Sequence, residues 1–151
     1  MTAHKIYVLN GPNLNMLGIR EPTIYGSETL DDIAQMLEAR AKKFSEEQGL
    51  EVAIELRQSN HEGHLIDWLH EAHFESAKAI ILNAGGYTHT SIALLDAIKS
   101  IAVPVIEVHI SDPETRELFR HLSYVGMGAV RTIQGMGTAG YVRALEEAVK
   151  L

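Results

Sequence analysis

Two pairs of residues in this sequence could carry out acid–base chemistry. The first pair, Arg20 and Tyr25, lies in a polar segment rich in glycine and proline. A guanidinium beside a phenol favours the ionised phenolate, and a phenolate could remove a proton next to a carbonyl group. The alternative interpretation is a surface tyrosine and a solvated arginine. Because Pro22 disfavours a regular helix here, we expect the two side chains to meet through a loop turn.

Glu107 and His109 form the second pair. Side chains two positions apart on a strand point to the same face, so the carboxylate would lie beside the imidazole. A carboxylate there orients the ring and favours its protonated form, which suits it to donate a proton. The alternative is a histidine that ends a strand and bonds to the backbone. We also expect Arg116 and Arg120 to share one face of a short helix over residues 112–122.

Short apolar segments that alternate with longer amphipathic ones predict the elements that position these residues. The predicted strands cover residues 6–9, 50–56, 79–82, 104–108 and 130–133, and residues 13–27 are predicted to be an irregular loop. A capping-box pattern at Thr29 and Asp32 begins one helix, and Gly49 ends it. The alternation predicts an α/β three-layer fold with a five-stranded parallel sheet of flavodoxin-like strand order. We expect residues 1–151 to form a single domain.

Polar side chains follow every predicted strand, at the edge where ligands bind in such sheets. Turns favour asparagine, serine and glycine in general. That preference does not readily explain amides after three successive strands and histidines after two of them. The residues at this edge are Asn10, Asn13, Asn15, Gln58, Ser59, Asn60, Asn83, Gly85, Gly86, Thr88, His89, His109, Ser111, Asp112, Gln134 and Gly135.

Several familiar chemistries are disfavoured by what the sequence contains. There is no cysteine, which excludes thiolate nucleophiles and is compatible with the cytoplasmic location that we expect. No lysine follows a predicted strand, so a Schiff base has no obvious nucleophile. A Walker loop and a Gly-x-Gly-x-x-Gly motif after the first strand are both absent, and His61-Glu62-Gly63-His64 lacks the His-Glu-x-x-His spacing of zinc sites.

Charge and hydropathy narrow the possible partners. The formal net charge of -7 argues against a nucleic-acid ligand. An anionic substrate would need local cations, for which the arginines are available. No apolar segment approaches the length of a membrane helix, and residues 1–5 lack the pattern of a secretory signal peptide. We therefore expect a small-molecule substrate and neither a nucleic-acid nor a membrane partner.

Taken together, these residues resemble the type II 3-dehydroquinate dehydratases over nearly the whole chain. Four blocks in order carry the resemblance, each at a predicted strand end. They are Asn10-Gly11-Pro12-Asn13-Leu14-Asn15 with Arg20 and Tyr25-Gly26; Gln58-Ser59-Asn60 with Glu62-Gly63; Asn83 and Gly85 with Tyr87-Thr88-His89-Thr90-Ser91 and Asp96; and Glu107-Val108-His109 with Ser111, Arg116-Glu117 and Phe119-Arg120.

The resemblance implies a hydro-lyase of the shikimate pathway that converts 3-dehydroquinate to 3-dehydroshikimate without a cofactor or metal. It implies anti elimination through an enolate. Tyr25 would be the base and Arg20 its activator, on a mobile lid. Asn13 would help to hold a water at the enolate oxygen, and His109, oriented by Glu107, would protonate the departing hydroxyl.

The resemblance also implies how substrate and subunits are held. The expected substrate-binding residues are Asn83, Gly85, His89, Asp96, Ile110, Ser111 and Arg120. Asp96 would reach the site of a neighbouring subunit in a dodecamer of four trimers. Ala84, Gly86 and Asp112 depart from the residues usual in that family. Two other interpretations stay open: a non-catalytic flavodoxin-like binding module, and an enolising enzyme for another hydroxy-keto acid.

Overall fold

Five parallel strands form the central sheet of the protein. The computed structural model describes residues 3–151, so Met1 and Thr2, which enter the signal-peptide expectation, lie outside the described residues. The strands run in the spatial order β2-β1-β3-β4-β5, and every pairing is parallel. This is the flavodoxin-like order, so the predicted α/β fold is confirmed. The strands are β1 His4–Asn10, β2 Val52–Gln58, β3 Ala79–Asn83, β4 Val105–His109 and β5 Arg131–Gln134.

Helices follow the strands along the chain: α1 Pro22–Tyr25, α2 Leu30–Gln48, α3 Glu62–Phe74, α4 Ile92–Ser100, α5 Tyr124–Gly128 and α6 Ala139–Ala148. The capping box predicted for α2 is present, since Asp32 N–H donates to Thr29 Oγ1 and Thr29 N–H donates to the Asp32 carboxylate. Gly49 ends α2 with φ of 63°, a left-handed conformation that glycine adopts without steric cost. Within residues 3–151, no helix has both the length and the apolar composition to cross a bilayer.

Two apolar layers, one on each face of the sheet, hold the fold together. Ile6 and Val8 of β1 pack into one layer with α2 and α6, whereas Tyr7 and Leu9 pack into the other with α3 and α4. Because successive strand side chains point to opposite faces, one buried strand contributes to both layers. The three-layer prediction is therefore confirmed. Burial of these apolar side chains stabilises the fold by about 25 cal/mol per Å² removed from water.

Three local predictions were wrong. Residues 13–27 are not wholly irregular: Leu14–Met16 forms a 3-10 turn and Pro22–Tyr25 forms α1. Pro22 occupies the first turn of α1, where a missing N–H costs nothing, so the proline starts the helix instead of preventing it. The short helix predicted over residues 112–122 is replaced by two 3-10 turns, Pro113–Thr115 and Leu118–Arg120.

The helix α5 was not predicted at all. Ser123 caps it, its Oγ accepting a hydrogen bond of 2.8 Å from Gly126 N–H. A side chain at Gly126 would place its Cβ 2.9 Å from Glu107 Oε1, so the glycine allows α5 to approach β4 closely. The five-residue sequence of α5 is too short and too rich in glycine to show a helical period.

Candidate active site

A cavity of about 210 Å³ opens at the carboxyl edge of the sheet. Every residue predicted for the site lines it except Glu107 and Asp96. Its lining includes three arginines and contains no Asp or Glu from residues 3–151, so the cavity supplies the local cations that an acidic chain needs to attract an anion. The lining residues are Asn13, Leu14, Arg20, Tyr25, Asn83, Gly85, Gly86, His89, His109, Ile110, Ser111, Pro113, Arg116 and Arg120.

Two guanidinium groups converge on the hydroxyl of Tyr25. Its oxygen lies 3.1 Å from Arg20 Nη2 and 2.8 Å from Arg116 Nη1, and both arginines donate to it. The Arg20 guanidinium also lies 4.2 Å from the centre of the Tyr25 ring. Tyr25 is only 9% exposed, so these contacts are poorly screened by water. The structure therefore brings the predicted pair together and adds a second cation to it.

The contact of Arg116 with Tyr25 was not predicted from the sequence. We expected it to share a helix face with Arg120, but it follows the turn Pro113–Thr115 and points to Tyr25. The same Nη1 also donates to Ser111 Oγ at 3.2 Å. The sequence feature that could have indicated a role for Arg116 in the site is its position shortly after β4, at the edge where ligands bind. No spacing rule connects it to a tyrosine 91 positions away.

Glu107 and His109 form a buried pair at the end of β4. Glu107 is 2% exposed and His109 is 8% exposed, and Glu107 Oε2 lies 2.8 Å from His109 Nε2. Ser123 donates a hydrogen bond to Oε2, and Thr132 donates one of 2.8 Å to Oε1. Since Nε2 is bonded to the carboxylate, Nδ1 is the ring nitrogen left for proton transfer to a ligand.

The electrostatics of Glu107 combine two opposing effects. Burial raises the pKa of its carboxyl group, but the hydrogen bonds from His109, Ser123 and Thr132 and the adjacent imidazole outweigh burial. The pKa of Glu107 therefore lies below its usual value, and the side chain is a carboxylate at neutral pH. A buried anion that contacts the ring holds the imidazole in one orientation.

Replacing Glu107 by glutamine should make stability less dependent on acid pH. A carboxyl whose pKa is lower in the folded protein than in the unfolded chain stabilises the fold above the unfolded value, near 4.5, and this contribution is lost as pH falls further. We expect Glu107→Gln to lower the free energy of unfolding by about 1–3 kcal/mol at pH 7, and the deficit to shrink below pH 4.5. Urea unfolding of the wild type and of Glu107→Gln from pH 7 to pH 3 measures this difference in the free energy of unfolding.

The exposed Glu114 provides the matched control for that experiment. Glu114→Gln should change the free energy of unfolding by less than about 0.5 kcal/mol at every pH. A deficit for Glu107→Gln that stays constant from pH 7 to pH 3 would contradict the assignment of Glu107 as a buried carboxylate.

His89 lies on the side of the cavity near His109. Burial lowers the pKa of His89, and the nearby His109 and Arg120 lower it further against the opposing bond to Leu122. The ring is therefore neutral at pH 7. Its Nδ1 donates to the Leu122 carbonyl oxygen at 2.7 Å, which leaves Nε2 as a hydrogen-bond acceptor. The rings of His89 and His109 are stacked with centroids 6.3 Å apart.

A buried hydrogen-bond chain fixes Asn83 at the floor of the cavity. Asn83 Nδ2 donates to the Tyr141 hydroxyl at 2.9 Å, and that hydroxyl donates to Asn10 Oδ1 at 2.7 Å. The oxygen of Asn83 accepts from Gly85 N–H at 3.2 Å. No local pattern in the sequence reveals these polar partners of Tyr141. The chain thus joins α6 to the carboxyl ends of β1 and β3.

Asp96 is the predicted residue that the structure does not bring to this chain's cavity. It lies on the exposed face of α4, near Ile92, which is 56% exposed. Asp112 does not line the cavity either: its Oδ1 accepts from Glu114 N–H and so caps the turn Pro113–Thr115.

Comparison with known proteins gives one consistent family. Residues 4–149 match the family model described as dehydroquinase class II. The chain is 52% identical over 146 residues to a 3-dehydroquinate dehydratase of Phenylobacterium zucineum, covering 97% of this chain and 96% of the relative. It is 53% identical over 146 residues to a protein of the same name from Caulobacter vibrioides, covering 97% and 95%.

Solved structures agree with the sequence relatives. A type II dehydroquinase from Propionibacterium acnes superposes with a TM-score of 0.90 at 39% identity, covering 99% of each chain. A type II dehydroquinase from Butyrivibrio crossotus superposes with a TM-score of 0.87 at 41% identity, covering 97% of this chain and 98% of that one. The similarity therefore extends over nearly the whole chain.

Proposed function

This chain belongs to the class II dehydroquinase family, and from that premise we propose that its cavity dehydrates 3-dehydroquinate to 3-dehydroshikimate by anti elimination through an enolate intermediate. The family implies a place in the shikimate pathway. One observation supports the mechanism above the others. Tyr25 and His109 line the same cavity, the first beside two cations and the second beside a buried carboxylate. Opposite surroundings of this kind separate a base from an acid.

Tyr25 is the base in this proposal. The guanidinium groups of Arg20 and Arg116 stabilise the negative charge that its oxygen develops on ionisation. The phenolate then takes the proton from the carbon next to the ketone, and the electron pair of that C–H bond moves to the carbonyl oxygen. The substrate becomes an enolate and Tyr25 becomes a neutral phenol.

His109 is the acid that completes the elimination. The enolate electrons form the new carbon–carbon double bond and expel the hydroxyl group, which takes a proton from His109 and leaves as water. Glu107 holds the ring and stabilises the imidazolium before transfer. Tyr25 has gained one proton and His109 has lost one, so both groups are restored when Tyr25 releases its proton to solvent and His109 takes one from solvent.

The enolate and the substrate's other groups have further partners. Asn13 lines the cavity and helps to hold the water that hydrogen bonds to the enolate oxygen. We place the substrate carboxylate against Asn83, Ser111 and the backbone N–H of Ile110, and the ring hydroxyls against His89 and Arg120. His89 is suited to this because its unprotonated Nε2 accepts a hydrogen bond from a hydroxyl.

A product assay with stereospecifically deuterated 3-dehydroquinate tests the proposal. We expect the purified protein to form an absorbing enone without added cofactor, and mass spectrometry to show loss of the hydrogen anti to the hydroxyl. Retention of that hydrogen with loss of the other one would overturn the anti stereochemistry. Binding without turnover would favour the non-catalytic module, and turnover of another hydroxy-keto acid alone would favour the other enolising enzyme.

The proposal extends to assembly. We propose that residues 1–151 act as one catalytic domain within a dodecamer of four trimers, and that Asp96 completes the site of a neighbouring chain. Its exposure on α4, away from the cavity of its own chain, is what such a role requires. Neither a nucleic acid nor a membrane takes part.

A further inference from the structure

Gln58, at the end of β2, and Asn60, in the loop that follows, lie outside the cavity lining but bond to two loops that contribute residues to it. Gln58 Nε2 donates to the Gly11 carbonyl oxygen at 3.2 Å, which fixes the loop after β1. The carbonyl oxygen of Asn60 accepts from the Tyr87 hydroxyl at 2.9 Å, which fixes the 3-10 turn Gly85–His89 after β3. Asn60 thus lies between two loops that contribute cavity residues.

The side chain of Asn60 contacts the backbone of a proposed catalytic residue. Its Oδ1 accepts from Asn13 N–H at 3.0 Å and from Gln58 Nε2 at 3.1 Å. Every side-chain hydrogen bond of Asn60 among residues 3–151 uses this oxygen. Asn60 is itself solvent-exposed and does not line the cavity. Its side chain therefore contributes little to the core and much to the local geometry of Asn13.

The backbone of Asn13 needs such a contact. Its φ is 71° and its ψ is -2°, in the left-handed region that asparagine adopts more readily than most residues but does not prefer. The Asn13 carbonyl accepts from Met16 N–H at 2.9 Å and so begins the 3-10 turn Leu14–Met16. A bond to the Asn13 N–H fixes φ, and φ sets the direction of the Cα–Cβ bond.

We infer that Asn60 is a positioning residue that aims the Asn13 side chain into the cavity. The carboxamide oxygen of Asn60 holds the Asn13 N–H, keeps the backbone left-handed and places the Asn13 carboxamide where it meets the ligand. The inference rests on the proposed function, because Asn13 receives its role there.

Two variants of Asn60 separate positioning from folding. Asn60→Ala removes the acceptor, and we expect kcat to fall roughly 10- to 100-fold, as for a displaced catalytic group, while KM changes little. Because Asn60 is exposed, Tm should stay within about 2 °C of the wild type. Asn60→Asp keeps an acceptor oxygen and should restore most of kcat. Gln35→Ala, which removes an exposed carboxamide on α2 outside the cavity lining, is the matched control.

A double-mutant cycle tests whether Asn60 acts through Asn13. In an Asn13→Ala background, Asn60→Ala should cause no further loss of kcat, because the side chain that it positions is absent. If Asn60→Ala multiplies the loss by the same factor in both backgrounds, or if Asn60→Asp is as impaired as Asn60→Ala, the inference is overturned.

Hydrogen exchange gives a measurement that is independent of activity. The Asn13 amide should exchange slowly in the wild type and in Asn60→Asp and fast in Asn60→Ala. Fast exchange in the wild type would overturn the inference even if the variants did not fold. If this amide is protected as expected but Asn13→Ala keeps full turnover, the result contradicts the catalytic role proposed for Asn13. It would still support the hydrogen bond between Asn60 and the Asn13 amide.

Discussion

Tyr25→Phe should lose about three orders of magnitude in kcat while folding normally, because it removes the proposed base and leaves the ring in place. The variant keeps the apolar contacts of a side chain that is 9% exposed and loses the oxygen that both guanidinium groups contact. The decisive measurement is exchange of the proton next to the ketone in D2O. Tyr25→Phe should abolish this exchange as well as dehydration.

The control for that variant is Tyr124→Phe, since Tyr124 begins α5 and does not line the cavity. It should retain wild-type kcat. If Tyr25→Phe still exchanged the proton next to the ketone at the wild-type rate, another group would be the base and the role of the two arginines would need reassignment.

His109→Gln should separate the two halves of the reaction. Glutamine can keep a hydrogen bond to Glu107 but cannot donate a proton as an imidazolium, so we expect dehydration to fall about 10²- to 10³-fold. Because Tyr25 and its arginines are unchanged, the variant should still exchange the proton next to the ketone. NMR in D2O would then show deuterated substrate accumulating without product.

The exposed His70 on α3 gives the matched control, and His70→Gln should behave as the wild type. Loss of both exchange and dehydration in correctly folded His109→Gln would argue against separate acid and base. Proton exchange without dehydration would show that His109 is the group that protonates the departing hydroxyl.

Elements that depend on local sequence could be predicted, and those that depend on distant contacts could not. The apolar strands and the capping box at Thr29 are set by neighbours within a few residues, and all are present. The helix α5 contains two glycines, and one of them, Gly126, leaves the space in which α5 packs close to Glu107. Pro22 is a different case, because a proline can either prevent a helix or begin one. Its position in the first turn of α1 means that it begins the helix.

The same distinction applies to the site. Glu107 and His109 meet because side chains two positions apart on a strand point to the same face. Their spacing in the sequence is therefore enough to predict the contact. Arg116 reaches Tyr25 across 91 positions, and only the folded sheet edge brings them together. Family resemblance supplied roles for Asn83 and His89 but not the contacts that hold them, namely Tyr141 and the Leu122 carbonyl.

The chain that joins Asn83 to Tyr141 and Asn10 also has a consequence for biosynthesis. Tyr141 lies in α6, which follows all five strands along the chain and so leaves the ribosome after them. Domains emerge from the N-terminal end during synthesis, so β1 and β3 are made long before the hydroxyl that Asn10 and Asn83 share. The floor of the cavity therefore acquires its final hydrogen bonds only after α6 has been made, and a nascent chain truncated before α6 has every proposed catalytic side chain without a finished binding site.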